Sequence, residues 1–373
     1  MASSVPRTPP ASNSSDMMKK YLPFLPLIAF VVCVHLLTSW TDTLYYLTQM
    51  TMSAYYALLI IGLCVVMGYA GQISLGHAGF FAIGGYLSAA LTTRNLLPFE
   101  DTVVLKMLDA LGLLMKGEDI YGEVIVVITP WAACITAVCV AALLAFLIGI
   151  PALKLKGHYL AMATLGFGII IYRIVLASEY FGEADGISEV PPFVLAGSFA
   201  VSGDFSERVS NYYIAWGLLV AGIVLLRNLI DSRVGRALRA IHGAEDAADS
   251  MGVDTARYKL NIFILSAVFA AIAGVFMTHY NGSIGPSEAG VMKSVRYVAI
   301  VAVGGMAHLW GALIMAILLN FLSLRGVFGS YDDAVFGVIL IVIMLFAPNG
   351  LLRINLGSRL QAYFSPKKSA EEV

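Results

Sequence analysis

Long apolar segments recur along this chain and constrain its fold more than any other feature. Hydrophobic residues make up 59% of the sequence and charged residues only 13%, whereas soluble domains carry about 25% charged residues. Lipid is therefore the expected surrounding, where backbone groups can be satisfied only in helices or in a closed barrel. The segments do not alternate with a period of two, which excludes the barrel. The sequence predicts an all-α, polytopic transmembrane bundle of about 8–10 membrane segments, including interrupted or half-helices.

The bundle can be divided into candidate segments by hydropathy. Residues 102–116 are interrupted by charges and are predicted to form an interfacial helix. The predicted organisation is a disordered cytoplasmic N-terminus at 1–20, a transmembrane domain at 21–352 and a cytoplasmic tail at 353–373. The ten predicted apolar segments are 21–40, 43–67, 74–92, 123–150, 157–177, 211–228, 258–279, 289–303, 309–324 and 333–348.

The placement of charge along the chain predicts its orientation. If all ten segments cross wholly or in part, both termini lie on the same side. If that side is the cytoplasm, the parts of the chain that lie there hold 15 of the 23 Lys and Arg residues, and the parts on the other side hold the remaining 8. Cytoplasmic loops carry such an excess of basic residues. We therefore expect both termini in the cytoplasm and the acidic loop 178–210 on the opposite side.

Two short glycine-rich turns, 68–77 and 304–308, interrupt the apolar segments. Irregular backbone at membrane depth is tolerated only where protein or a water-filled cavity satisfies it. Interrupted segments at corresponding places in a transporter indicate a substrate path. The alternative is close helix packing at the glycines, although packing alone does not require polar neighbours. The candidate path residues are Gln72, Ser74, Gly76 and His77 in the first turn, and Gly304, Gly305 and His308 in the second.

The two histidines leave alternatives open. Each can form a structural hydrogen bond to a carbonyl that the turn has freed, or it can contact the substrate. Neither His77 nor His308 has a second His or Cys at ligand spacing, so no metal site is expected.

The longest predicted cytoplasmic loop, 231–254, contains a short amphipathic helix of mixed charge at 236–252. Leu238 and Ile241 have the spacing of one apolar helix face, and Gly252 follows as a helix C-terminal glycine would. A helix this short is not stable alone, so we expect it to pack against a partner. The alternative is that its basic residues only reflect the charge asymmetry of cytoplasmic loops.

This loop and five other blocks carry a resemblance to a known family. The run Asp246-Ala247-Ala248-Asp-Ser-Met-Gly252 resembles the EAA-x-x-x-G coupling motif of bacterial ABC importer permeases, with Asp in place of Glu. More specifically, the chain is similar to the branched-chain amino-acid permease family of the LivM type. The matching blocks cover about four-fifths of the chain in the family's order. They are Gly68-Tyr-Ala-Gly71-Gln72-Ile-Ser74-Leu-Gly76-His77-Ala78, Leu155-Lys-Gly157-His-Tyr159-Leu-Ala161-Met-Ala-Thr164-Leu-Gly166-Phe-Gly168, Asp185-Gly186-Ile187-Ser188, Gly235-Arg236-Ala-Leu-Arg239-Ala-Ile241, Gly304-Gly305 with Leu309-Trp310-Gly311, and Pro348-Asn-Gly350-Leu.

The resemblance implies a permease subunit of an ABC importer in the bacterial inner membrane, surrounded by lipid. Its implied partners are a second, LivH-like permease, two cytoplasmic ABC ATPase subunits and an extracytoplasmic solute-binding protein, with no nucleic acid. Thr164 joins the path candidates. The implied ATPase-coupling residues are Arg236, Arg239, Asp246, Ala247, Ala248 and Gly252.

The sequence has no G-x-x-x-x-G-K-[ST] phosphate-binding loop. We therefore expect the chain to be no enzyme, to have no catalytic residues and to hold no cofactor, with ATP bound by the ATPase subunits.

The family resemblance favours branched-chain or other hydrophobic amino acids as cargo, and relatives of the same fold carry small polar solutes such as urea or amides. The alternative function is a stand-alone secondary transporter or channel for a small solute. Ion coupling would require buried carboxylates, and no predicted segment has an Asp or Glu in its interior.

Overall fold

The computed structural model describes residues 24–97, 102, 106, 109, 112–118, 124–153, 155, 157–197 and 199–346. The predicted disordered N-terminus and cytoplasmic tail lie outside these residues. Helices dominate the described part, which confirms the predicted fold class. The described chain forms two compact units, residues 24–48 and residues from 49 onward.

The helices, in chain order, are α1 (Leu25–Trp40), α2 (Tyr45–Tyr69), α3 (His77–Thr93), α4 (Pro130–Ala152), α5 (His158–Ala177), α6 (Arg208–Asp231), α7 (Arg233–Gly243), α8 (Glu245–Ser250), α9 (Thr255–Asn281), α10 (Val291–Gly304), α11 (Leu309–Leu324) and α12 (Asp332–Phe346). The strands are β1 (Leu114–Glu118), β2 (Val124–Ile128), β3 (Phe193–Ala196) and β4 (Phe199–Val201). They pair as two antiparallel hairpins, β1 with β2 and β3 with β4.

The first unit contains α1 and the beginning of α2. Pro26 lies in the first turn of α1, where a missing N–H costs no intrahelical bond. The hydroxyl of Thr38 donates to the carbonyl of Val34, and the Thr41 amide donates to Leu37. These bonds complete the last turn of the helix.

Each of the ten predicted apolar segments contains one helix. Within the described residues, α2, α4, α5, α9 and the stretch Phe205–Asp231, which includes α6, are long and apolar enough to cross a membrane. Helices α1 and α11 are apolar but shorter. Three of the four helices beside the two glycine-rich turns, α3, α10 and α11, are short, as expected for interrupted segments, whereas α2 has 25 residues and is long enough to cross by itself.

One segment boundary was predicted wrongly. The apolar run at 123–150 does not begin as a helix, because Val124–Ile128 forms β2 and α4 starts only at Pro130. The run Val-Ile-Val-Val-Ile is β-branched throughout, which favours a strand. Proline is well suited to the first helical position but not to a helix interior.

The predicted interfacial helix at 102–116 lies mostly outside the described residues. Lys106 and Asp109 are helical. The prediction was wrong for its last three residues, 114–116, because they belong to β1. Lys116 of β1 pairs with Val126 of β2.

Helix α9 packs against both α3 and α4 and lies at the centre of the second unit. Glycines bring α3 and α9 into backbone contact. A methyl group at Gly274 would overlap the Phe81 carbonyl, and one at Gly84 would overlap the backbone of Ala271. Small residues at crossings give membrane helices their close packing.

Helices α4, α5 and α6 expose large apolar side chains. Leu143 is 56% exposed, Ile170 58% and Leu225 50%. In contrast, every residue from Ser53 to Ala70 of α2 and the following turn is buried. The exposed faces suit contact with lipid, and α2 belongs to the interior of the bundle.

Candidate functional site

The first interruption begins at the last two residues of α2, extends to the start of α3 and is here called the first break (residues 68–76). Gly71 has a left-handed backbone with φ of +67°, which favours glycine. The buried ring of His77 then begins α3. Its Nδ1 forms a hydrogen bond of 3.1 Å with Ser74 Oγ, and its Nε2 forms one of 2.7 Å with Ser266 Oγ of α9. The break is thus fixed to the central helix by a side-chain network.

Thr164 of α5 belongs to the same network. Its Oγ1 accepts a hydrogen bond of 3.0 Å from the Leu75 amide. A methyl group at Gly76 would lie 2.8 Å from the Thr164 carbonyl oxygen. The structure therefore brings Ser74, Gly76, His77 and Thr164 together, as expected for residues of one site, and it packs the break closely against α5.

Gln72 differs from its neighbours in the first break. It is only 3% exposed, yet neither its side-chain oxygen nor its side-chain nitrogen has a hydrogen-bond partner among the described residues. Buried amides are normally paired. Among the predicted path residues of this break, Gln72 has hydrogen-bonding capacity left for another molecule.

The second interruption (residues 305–308, the second break) separates α10 from α11. Gly305 has φ of +98°. A methyl group at Gly304 would lie 2.6 Å from backbone atoms of Ala312, so the two helices meet backbone to backbone. The His308 Nδ1 accepts a hydrogen bond of 2.9 Å from the Gly311 amide, which caps the N-terminus of α11.

These contacts decide part of the question about the histidines. The predicted bond to a freed carbonyl was wrong for both side chains. His77 pairs with hydroxyl groups, and His308 pairs with a backbone N–H. Each histidine has a structural partner, and substrate contact stays a prediction.

The two breaks touch each other. The Cys64 thiol donates a hydrogen bond of 3.5 Å to the Met306 carbonyl. Gly68, at the end of α2, has no room for a methyl group because the Met306 carbonyl and Ala307 occupy the space. The sequence predicted both breaks but not their contact, since nothing in the pattern links residues so far apart.

The predicted coupling helix at 236–252 is two helices, α7 and α8, here called the coupling segment. Ala244, with φ of −157° and ψ of 98°, is extended and divides them. Gly243 is a weak helix former, and Glu245 and Asp246 suit a new helix N-terminus. Gly252 ends α8 with φ of +83°. Its amide donates to Asp249, and the next amide, that of Val253, donates to Ala248, as in a Schellman motif.

One face of the coupling segment is buried and the other is exposed. Leu238, Ile241 and Ala248 are buried. The exposed residues include five of the six predicted coupling residues. They are Arg236, Arg239, Asp246, Ala247 and Gly252.

The coupling segment contacts the first break. A methyl group at Gly71 would lie 2.9 Å from Nδ1 of His242 on α7. Glu245 of α8 forms an ion pair of 2.5 Å with Lys259, near the start of α9. These contacts join the segment to the bundle at the first break and at the central helix.

A group of charged residues near the other end of α10 was not predicted as a site. Lys293 forms an ion pair of 3.0 Å with Glu288 and donates to the Tyr56 hydroxyl at 3.3 Å. Arg296 forms ion pairs of 2.6 Å with Asp332 and 2.8 Å with Asp333. The sequence signal was the presence of two cations three residues apart inside a predicted membrane segment.

The cap at His308 gives a specific prediction. His308→Asn keeps an acceptor at the N-cap and is expected to retain the thermal stability and the transport rate of the wild type. His308→Ala is expected to lose about 1 kcal/mol of stability, because the Gly311 amide loses its partner. Thermal unfolding of the two purified variants measures their stability. An equal loss in the two variants would contradict the capping role.

The sequence of this chain is similar to those of known permeases. The family model described as branched-chain amino acid transport system / permease component matches residues 45–346. The permease LivM of Salmonella typhimurium is 31% identical over 81% of this chain and 68% of its own length. The permease LivH of Escherichia coli is 27% identical over 83% of this chain and 96% of its own. No solved structure matches. The chain belongs to the permease family of branched-chain amino acid transport systems.

Proposed function

We propose that this chain is one of two permease subunits of an ATP-driven importer of branched-chain or other hydrophobic amino acids. The contact of His242 in the coupling segment with Gly71 in the first break carries the proposal. A cytoplasmic helix that touches irregular backbone at the surface of the bundle, next to the buried Gln72, can transmit a movement to it. The contact of Gly68 with the Met306 carbonyl, between the two breaks, extends this connection to the second break.

The driving partners are two cytoplasmic ATPase subunits, which bind the ATP. The exposed side of the coupling segment supports this assignment, because Arg236 and Arg239 are available there for an acidic partner. The chain itself supplies no phosphate-binding loop.

A homologous permease and a solute-binding protein complete the importer. The likeness to both LivM and LivH supports a second permease related to this chain. The acidic loop 178–210 would meet the solute-binding protein on the extracytoplasmic side. Its carboxylates at Glu179, Glu183, Asp185 and Glu189 are exposed.

This arrangement requires both termini on the cytoplasmic side of the inner membrane. A reporter fused after Val373 is therefore expected to report the cytoplasm. A periplasmic signal from the same fusion would contradict the orientation.

ATP-dependent uptake tests the function directly. The full complex, reconstituted in liposomes with its binding protein, is expected to accumulate labelled leucine when ATP is supplied on the ATPase side. Urea and acetamide serve as competing cargoes. Uptake of either one in place of leucine would replace the amino-acid assignment, and uptake without ATP would contradict the importer.

A further inference from the structure

The charged residues near the start of α10 surround a small pocket, here called the polar pocket. It contains about 240 Å³ of empty space, including the part open to solvent. Two cations, two phenols, an amide and a hydroxyl line it. The lining residues are Tyr56, Lys293, Arg296, Tyr297, Asn320, Ser323 and Leu324.

The polar pocket is held by bonds behind its lining. Glu288 pairs with Lys293 and accepts from the Tyr56 hydroxyl. The Ser323 hydroxyl donates to Asp332 at 2.6 Å and accepts from Arg296 at 3.0 Å. The cations therefore stay in place without a ligand. Charged groups within a membrane protein are costly and mark substrate or ion pathways.

Two buried polar atoms of residues that line the polar pocket, and one of the Asp332 carboxylate behind them, have no hydrogen-bond partner within the described part of the chain. They are Nε of Arg296, the hydroxyl of Tyr297 and Oδ1 of Asp332. The first is a donor, the second can donate, and the third is an acceptor. Unpaired buried groups are rare, because each costs about 1–3 kcal/mol. Their combination is complementary to a ligand that carries both an acceptor and a donor.

An amino-acid zwitterion has this combination of groups. Its carboxylate accepts hydrogen bonds, and its ammonium donates them. A carboxylate that enters the polar pocket meets Lys293 and Arg296, whose charges are partly offset by ion pairs with three acids outside the lining, Glu288, Asp332 and Asp333. The ammonium group of the ligand has Oδ1 of Asp332 as its acceptor. The side chains of Ser323 and Arg296 bind the other oxygen of the Asp332 carboxylate and hold it in place.

We propose that the polar pocket binds the charged backbone of the transported amino acid. Arg296 Nε and the Tyr297 hydroxyl would donate to the α-carboxylate, and Asp332 Oδ1 would accept from the α-ammonium. Recognition of these two groups serves every amino acid, so the polar pocket selects the class of cargo and not its side chain. This inference rests on the proposed function and adds the site that holds the cargo within the bundle.

Tyr297→Phe is the sharpest variant, since it removes one unpaired hydroxyl and keeps the ring. With saturating loaded binding protein, the number of ATP molecules hydrolysed per leucine imported is expected to rise about tenfold, as for a lost bond to a charged group. Tyr86→Phe is the matched control. Tyr86 is equally buried and its hydroxyl is also unpaired among the described residues, but it does not line the polar pocket. Its ratio is expected to stay at the wild-type value.

Elution as a single complex and basal ATPase activity establish that both variants assemble. A Tyr297→Phe ratio within twofold of the wild-type ratio would overturn the proposal. A second measurement uses the wild-type complex and a diazirine analogue of leucine. The photo-label is expected on α10 or α11, and its absence from both helices would also overturn the proposal. Failure of the wild-type complex to import leucine at all would be a different result, because it would refute the proposed function itself.

Discussion

Gly68→Ala is expected to lower ATP-driven leucine uptake about tenfold or more. The added methyl group meets the carbonyl of Met306 and the backbone of Ala307, and neither is a flexible side-chain end. Overpacking of this kind costs about 1–3 kcal/mol, and about 1.4 kcal/mol corresponds to a tenfold change in an equilibrium constant. The contact of the two breaks would therefore open, and the path would lose the arrangement in which both breaks move together.

Gly217→Ala is the control for this variant. Gly217 lies on α6, and a methyl group there meets nothing within 4 Å. Rates are measured on reconstituted complexes after size-exclusion chromatography has established that each variant is assembled. Wild-type uptake by an assembled Gly68→Ala complex would show that transport does not need the close contact between the breaks.

Charge reversal on the coupling segment is expected to have the second large effect. Arg236→Glu and Arg239→Glu should each reduce uptake about tenfold through weaker association with the ATPase. Both residues are exposed, so membrane insertion and thermal stability should hardly change. The measurement is leucine uptake together with ATPase retention on the tagged chain.

Arg257→Glu provides the same change of charge on the same predicted side of the membrane. Arg257 is exposed at the start of α9, outside the coupling segment. Its uptake should stay near the wild-type rate. If all three substitutions have equal effects, general electrostatics would explain the loss and the docking role of the segment would be wrong.

The helices of this protein could be predicted well because membrane insertion constrains composition so strongly. A segment that must satisfy its own backbone in lipid is long, apolar and helical, and hydropathy detects it directly. The strand at Val124–Ile128 shows the limit of this signal. A short apolar run can be a strand or the start of a helix, and its composition does not distinguish the two. Here the run is a strand because it pairs with β1.

The sequence indicated the parts of the candidate site but not their arrangement. Glycine spacing indicated two breaks, and the loop motif indicated a docking surface. The contacts of Gly68 with Met306 and of Gly71 with His242 join residues separated by well over a hundred positions. Such contacts depend on helix packing, and a single sequence carries no record of them.

The polar pocket was missed for a related reason. Lys293 and Arg296 were visible in the sequence as charges in an apolar segment, but their partners come from several elements. Glu288 lies in the turn before α10, whereas Asp332 begins α12. Only the folded chain brings these acids against the two cations.

Affinity purification of the tagged chain from native membranes tests the central claim most directly. If the chain is one permease of an ATP-driven importer, it should elute with two ATPase subunits and a second permease, and the Arg236→Glu complex should retain less of the ATPase. Purification without any ATPase, combined with leucine uptake driven by an ion gradient, would contradict this account and would indicate a transporter that works alone.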